Sequence, residues 1–466
     1  MSKPGWRHKP DWQKDPNRNQ QNQTHNHSMS RMDLRARARD EMIANNFVPD
    51  FEPAALAEAE TAQHKAVNDS GVKDMRSLLW SSIDNVESMD LDQIEYVEKL
   101  PDGGFRVLVG IADVDRFAPK DSAIDKHAQE NTTSVYTGVI TYPMLPDQLS
   151  FDTTSLLQDK DHLAIVIDMK VAATGEIMGS SVYPALVRNK AKLNYKMIGD
   201  WLDRGGKSTP DEVKEIEGLS EQLLLQSEIT EKIKENRDQR GSLHLQTTEA
   251  STVAKDGQVI DLELIEENPA RDLIENFMIE ANISVSHFLR DKGFASIRRI
   301  VRVPQKWEGI VEVAAKLGTT LPEKPSATAL ASFLIRQKQN DPDHFPDLSL
   351  TIIKLLGRGE YTVEVPGQKD EGHFALATRD YTHATAPNRR YPDLITQRLI
   401  KAALAAQPSP YSVPELGQLA KHCTEREEAS NRVERTMRKV AAAVLLSKHI
   451  GEIFDAFVTG VKPDAT

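Results

Sequence analysis

Cysteine is nearly absent: Cys423 is the only one in 466 residues, which excludes an internal disulfide framework and an all-cysteine metal site. A reducing compartment, the cytoplasm, is the expected location. Long apolar runs are missing too. No stretch approaches the roughly 18 uninterrupted apolar residues of a membrane span, and the N-terminal stretch, rich in Asn, Gln, His, Lys and Asp, holds no hydrophobic signal region. Neither membrane insertion nor secretion is expected. There is no excess of positive charge, since 58 Lys and Arg against 70 Asp and Glu leave a net charge of −12. That argues against a surface coated in nucleic acid but leaves room for a basic channel inside an acidic shell. A Gly-rich nucleotide loop, a nucleophile elbow and internal repeats are all lacking.

The chain does have the ordinary make-up of a globular protein, with 39% hydrophobic residues and 24 Gly. Its length allows about three domains, or one large core with attachments. Residues 1–30 are almost without aliphatic side chains and read as a disordered polar leader. Over 31–73, DLRARARDEMIANN and PAALAEAETAQHKAV predict short helices. From Asp74 the texture becomes strand-like. YVEKLPDGGFRVLVGIADV predicts a hairpin turning at Pro101–Gly104, HLAIVIDMKVAATGEIMGSSVY another at Thr174–Gly175, and VAKDGQVIDLELI a third at Asp256–Gly257. Val213, Ile216, Leu219, Leu223 and Ile233 mark one amphipathic helical face. ARDLIENFMIEANISVSHFLRDKG predicts a helix closed by a Gly, and another runs over about 413–448. Strands clustered early and helices late predict an α+β core. The final GEIFDAFVTGVKPDAT reads as the opening strands of a small barrel over 449–466.

Two segments carry chemistry. In SSIDNVESMDLDQIEYVE, Asp84, Asp90 and Asp92 fall within nine residues. Hard oxygen ligands from one loop suit Mg²⁺ or Mn²⁺, and two such ions about 4 Å apart can activate water and stabilise a leaving oxygen in phosphodiester hydrolysis. A helix-loop-helix Ca²⁺ site fits poorly, because Glu95 stands where the loop requires Gly. On spacing alone, a solvated acidic turn is the competing reading. In GHFALATRDYTHATAPNRRYPDLITQRL, Arg389 and Arg390 precede Pro392, a residue suited to the first turn of a helix through Leu394, Leu399 and Ile400. Guanidinium groups beside a helix N-terminus outline an anion site; an arginine pair bridged to neighbouring acids is the equal alternative.

Taken together, ordered blocks settle the choice. IDNVESMDLDQ, GIADVDRF, TTSVYTGVITYPMLPDQLS, NKAKLNY, NRDQRGSLHL, LIENFMIEANISV and YTHATAPNRRYPD resemble, in order, the motifs of the ribonuclease II family over about 74–448. The resemblance implies an RNB catalytic domain, with a mixed or antiparallel sheet surrounded by helices and enclosing an RNA channel. It implies a Mg²⁺-dependent exoribonuclease, with Mn²⁺ as a substitute, that degrades single-stranded RNA from the 3′ end to nucleoside 5′-monophosphates. DNA is not an expected substrate, and no protein partner is implied. Asp84, Asp90 and Asp92 match aspartates that hold the metal and organise the attacking water, Asp92 ranking as the most essential. Arg389 matches the arginine at the scissile phosphate, with Arg390 beside it. Tyr136 matches an aromatic residue packed on the terminal nucleotides, where stacking tolerates any base. Tyr195 and Glu275 match positions that hold the ribose, whose 2′-hydroxyl can be read.

The chain departs from the family pattern at several points. The fourth motif aspartate is Gln93, an amide that neutralises no cation charge although its oxygen could still bind the metal, and this motivates an alternative reading as a weakened RNA-binding relative. A protein-binding scaffold is a third reading. Ala386, Asn388 and Asn276 replace a Ser, an Ile and a Glu in the pocket motifs, and His162 stands where Arg is common. About 73 residues precede the match, too few for the two cold-shock barrels of typical members, and the S1 barrel is expected to be truncated. His8, His25 and His27 read as solvated, His422 and Cys423 as packing residues, and His373 and His383 as supports flanking the arginine segment.

Overall fold

The computed structural model describes residues 33–64, 72–247, 249–255, 258–265, 267–368 and 372–453. The polar leader and most of the segment read as a nascent barrel lie outside the described residues. Two helices come first, α1 (Leu34–Ala44) and α2 (Pro53–Gln63), then strands β1 (Lys73–Asp74) and β2 (Ser81–Asp84). The first predicted hairpin forms as β3 (Gln93–Lys99) and β4 (Phe105–Ala112), registered from Gln93 opposite Ile111 to Lys99 opposite Phe105. Gly103 turns it with φ +84°, a conformation that glycine adopts without steric cost. Helix α3 (Ala123–Asn131) and the small ribbon β5 (Val135–Tyr136) and β6 (Thr141–Tyr142) follow. The second hairpin is β7 (Asp161–Val171) and β8 (Ile177–Arg188), and after it come β9 (Ala191–Asn194) and α4 (Tyr195–Asp203).

These strands build one seven-stranded sheet in the order β1-β8-β7-β4-β3-β2-β9. The sheet is mixed: β1 runs parallel to β8 and β2 parallel to β9, whereas the central pairs are antiparallel. The apolar alternation has its cause here, because Trp80, Ile83, Ile94, Leu108, Ile111 and Ile165 sink into one continuous core against the helices. The Trp80 indole N–H is satisfied by the Met75 carbonyl at 2.8 Å.

The amphipathic face that begins at Val213 is not one helix. It is split into α5 (Asp211–Lys214) and α6 (Leu219–Arg240), because Gly218 turns left-handed at φ +81° and caps the second piece. The third hairpin is β10 (Glu249–Lys255) with β11 (Gln258–Ile265), its turn falling on undescribed residues. Helix α7 (Pro269–Asp291) starts on an Asn268 cap, ends before Gly293 at φ +76°, and buries Phe277, Ala281 and Val285 in the main core. Then come β12 (Ser296–Val301), α8 (Trp307–Lys316), α9 (Ala327–Asn340), α10 (Phe345–Leu356) and β13 (Gly359–Glu364), which pairs with β12. Helices α8 to α10 close over their own small core of Trp307, Ile310, Phe333 and Phe345.

The last helices are α11 (Tyr391–Leu404), with Pro392 in its first turn as the sequence predicts, and α12 (Val413–Leu446). Ser412 and Glu415 form a reciprocal capping box at the start of α12. Met42, Phe47, Val135, Val433 and Met437 form a separate apolar cluster that docks α1 and the β5 ribbon against α12. No helix among the described residues is long and apolar enough to cross a membrane.

Candidate active site

Strands β2 and β9 are parallel neighbours with Asp84 registered beside Asn194, so both open at the same sheet edge. Asp84 and the first residue of α4, Tyr195, are therefore delivered together. The loop from β2 to β3 carries the other carboxylates and is held from below: Leu91 N–H donates to Ser155 Oγ at 3.0 Å, Ser155 Oγ–H to the Met89 carbonyl at 2.6 Å, and Leu156 N–H to the Leu91 carbonyl at 2.9 Å.

The arginine arrives by a backbone splice. Ser134 N–H donates to the Arg389 carbonyl at 3.0 Å and Tyr391 N–H to the Thr132 carbonyl at 2.8 Å. Two short strand-like segments, one carrying Tyr136 and one Arg389, are thus locked side by side. Asp393, wholly buried, pins the same loop by accepting from Ala386 N–H and Arg390 Nη2, both at 2.8 Å.

Asp92 is 1% exposed; its Oδ2 accepts Arg389 Nε–H at 2.6 Å, and its Oδ1 has no hydrogen-bond partner among the described residues. Burial pushes its carboxyl up to about 7, against the pull of Arg389 and with a further push from Asp90. Asp84 Oδ1 accepts from Asn85 N–H at 2.7 Å and Ser88 Oγ at 2.8 Å, yet burial still holds its carboxyl above the usual range. Behind it, Glu95 is buried with neither oxygen hydrogen-bonded among the described residues, and desolvation with the Asp84 charge pushes it well up. The Tyr136 phenol donates to Asp90 Oδ2 at 2.5 Å while the residue as a whole stays 41% exposed. Arg389 keeps 39% of its side chain exposed, so its remaining N–H groups face the space above Asp92.

That space is a cleft of about 330 Å³. Asp84, Asp90 and Gln93 line its acidic side, Tyr136 and Tyr195 its aromatic sides, and Ile274 and Met278 an apolar strip. The motif residues Asp84, Asp90, Gln93, Tyr136, Tyr195 and Arg389 are thus brought together, with Asp92 beneath them. Glu275 and Arg390 do not line the cleft. Glu275 is exposed on α7, in the electrostatic neighbourhood of Arg237, Asp272, His244 and Lys234. Arg390 turns into the body, where its Nη2 bonds Thr385 Oγ1 at 3.3 Å besides Asp393. The sequence reading missed Arg271 and Asn85, both of which line the cleft.

Among the described residues, no three His, Cys, Asp or Glu side chains converge as a ready cation cage. Arg389 and Tyr136 each engage one carboxylate oxygen instead. The donor set nevertheless suits a divalent cation: it is all hard oxygen, and the orphaned Asp92 Oδ1 is a buried acceptor in need of positive charge. His383 and Tyr361, packed nearby, satisfy one another through Nδ1 and the phenol at 2.8 Å.

A mixed sheet opening at one edge into this cleft defines an α+β protein with an RNB-type core. The model of the RNB domain matches residues 72–406, and the chain belongs to that family, the ribonuclease II family. Ribonuclease R of Thermotoga maritima is 30% identical over 406 residues, covering 84% of this chain and 55% of the relative. Ribonuclease R of Escherichia coli K12 is 30% identical over 425 residues, covering 88% and 50% respectively. The chain therefore spans about half the length of these relatives. Among solved structures, Mycoplasma genitalium RNase R in complex with ribose-methylated single-stranded RNA superposes with a TM-score of 0.81 at 26% identity, over 92% of this chain and 67% of that one. Yeast Ssd1, described as a pseudonuclease, shares the fold with a TM-score of 0.64 at 17% identity, over 82% of this chain and 46% of its own.

Proposed function

We propose that this chain is a cytoplasmic exoribonuclease that hydrolyses single-stranded RNA from the 3′ end and releases nucleoside 5′-monophosphates. The observation that carries the reading is the 2.6 Å contact between Asp92 and Arg389 at a cleft lined by Asp84 and Asp90. A phosphodiester drawn into the cleft meets the Arg389 guanidinium, which neutralises charge developing on phosphorus. The exposed face of Tyr136 accepts a base by stacking. Asp84, Asp90 and Asp92, with the Gln93 amide oxygen, would hold Mg²⁺ or Mn²⁺. Such an ion, when bound, supplies an acidified water and charge stabilisation at the phosphoryl oxygens. The catalytic unit is assigned to residues 74–448 rather than ended at α11, because Glu434 of α12 accepts from Tyr136 N–H at 3.1 Å.

The test is a 5′-labelled oligoribonucleotide incubated with the protein and Mg²⁺. Shortening one nucleotide at a time from the 3′ end supports the reading, and intact RNA sinks it. Gln93 favours a second reading, a relative that grips RNA and cleaves slowly: it lines the cleft and brings no charge. Gln93→Asp discriminates between the two. If the native site is crippled, the exchange raises the single-turnover rate by roughly ten-fold or more; if three carboxylates suffice, the rate stays within two-fold.

A further inference from the structure

We propose that Arg271 is a second phosphate-binding residue of the cleft, gripping the RNA backbone on the side formed by Tyr195 and Asn85. The inference rests on RNA being the polyanion that enters. Arg271 lines the same cavity as Asp84 and Arg389, yet no carboxylate among the described residues pairs with it. Among the described residues its single side-chain hydrogen bond, Nη2 to Asn85 Oδ1, is 3.2 Å long, and its buried Nε–H has no hydrogen-bond partner. Arg389 and Arg390, by contrast, each carry an ion pair, with Asp92 and Asp393.

The placement runs against local electrostatics. Arg271 sits in the first turn of α7, its backbone N–H bonded to the Asn268 cap at 3.0 Å. A cation at the positive end of a 23-residue helix is repelled by the helix dipole, so no gain in helix stability explains it. An anion at that point would be drawn by the guanidinium and by the helix terminus together. The group is also preorganised, because its guanidinium carbon lies 4.3 Å from the Tyr195 ring centroid. Stacking fixes the plane and leaves the edges of the fork for oxygen acceptors. The chemistry that fits is a phosphodiester phosphate adjoining the one held by Arg389.

The experiment is equilibrium binding of a fluorescent 2′-O-methyl oligoribonucleotide in EDTA, across a series of salt concentrations, with wild type, R271Q and R271K. Binding is read without hydrolysis and without any bound cation. R271Q should weaken binding roughly ten-fold and flatten the slope of log K against log salt by about 0.7, one single-strand phosphate contact. R271K should keep the slope and lose several-fold in affinity, since ammonium neither stacks nor forks. Wild-type affinity and slope in R271Q overturn the proposal. Should R271Q melt early, R271K decides, and wild-type affinity in that variant overturns it. Wild type that binds no RNA at any salt concentration sinks the nuclease reading itself, a distinct result.

Discussion

Asp92→Asn is expected to lower RNA hydrolysis by roughly 10³-fold or more while raising the melting temperature of the cation-free protein at pH 8. The two effects share one cause. Asp92 is 1% exposed with an unpartnered Oδ1, so its charge is held where it is useful to chemistry and costly to the fold. Burial lifts its carboxyl from 3.8 to about 7. Within that window the unfolded chain has released the proton that the folded chain keeps. The folded state therefore binds more protons, and stability falls as pH rises through the window. Below it the penalty is absent, and above about pH 7 it is complete. Asparagine keeps the shape and carries no charge, so the variant escapes the penalty, for a gain on the order of 1–3 kcal/mol. Thermal melts in EDTA should show the variant and wild type converging near pH 4 and separating by several degrees at pH 8. RNA binding should change little, because the proposed phosphate contacts lie with the arginines. A variant that cleaves at the native rate, or that melts like wild type at pH 8, refutes the assignment of Asp92. Trading stability for a buried functional charge is a common pattern at active sites.

Most of the fold was legible because its signals are local. Alternating apolar residues with Gly-containing turns located the β3–β4 and β7–β8 hairpins, and Pro392 marked the start of α11. Where a single residue overrode periodicity, the reading failed: the face from Val213 to Ile233 continues through Gly218, whose left-handed backbone breaks the helix. At the site, the ordered motifs named candidate residues but not where they point. Arg389 and Arg390 look equivalent in sequence. The backbone at Arg390 is extended, with φ −136° and ψ 121°, so successive side chains face opposite ways. One enters the cleft, and the other is locked under α11 by Asp393. Glu275 sits one residue beyond Ile274, about 100° further round α7, which turns it out of the cleft to an exposed face of the helix. Arg271 escaped notice for the opposite reason, since an arginine among helix-forming residues carries no motif. Its one legible clue was a positive charge in a helix's first turn, and only the register of β9 and α4 showed what it faces.

Arg389→Ala is expected to cut single-turnover hydrolysis by about 10²–10³-fold, with Arg389→Lys recovering a minority of the loss, because a lone ammonium cannot hold Asp92 and a phosphate at once in a fork. The change should leave the loop in place. Arg389 is anchored through its carbonyl to Ser134 N–H, and its neighbour Tyr391 through its N–H to the Thr132 carbonyl, and neither contact involves the replaced side chain. What the side chain does hold is the Asp92 charge. Its removal leaves a buried carboxylate with no partner on either oxygen, so the Asp92 carboxyl rises further above 3.8. The stability cost then grows with pH over a wider window, absent near pH 4 and still rising past pH 7 where that of wild type levels off, with the same sign. Adding Asp92→Asn to Arg389→Ala should therefore restore the melting temperature at pH 8 without restoring hydrolysis. The double-mutant cycle measures the pair directly. Its stability coupling should vanish at pH 4, where the carboxyl is neutral, and reach on the order of 1–3 kcal/mol at pH 8. A coupling that does not depend on pH would mean the two side chains meet by packing, and the charge pairing at the centre of the cleft would have to be abandoned.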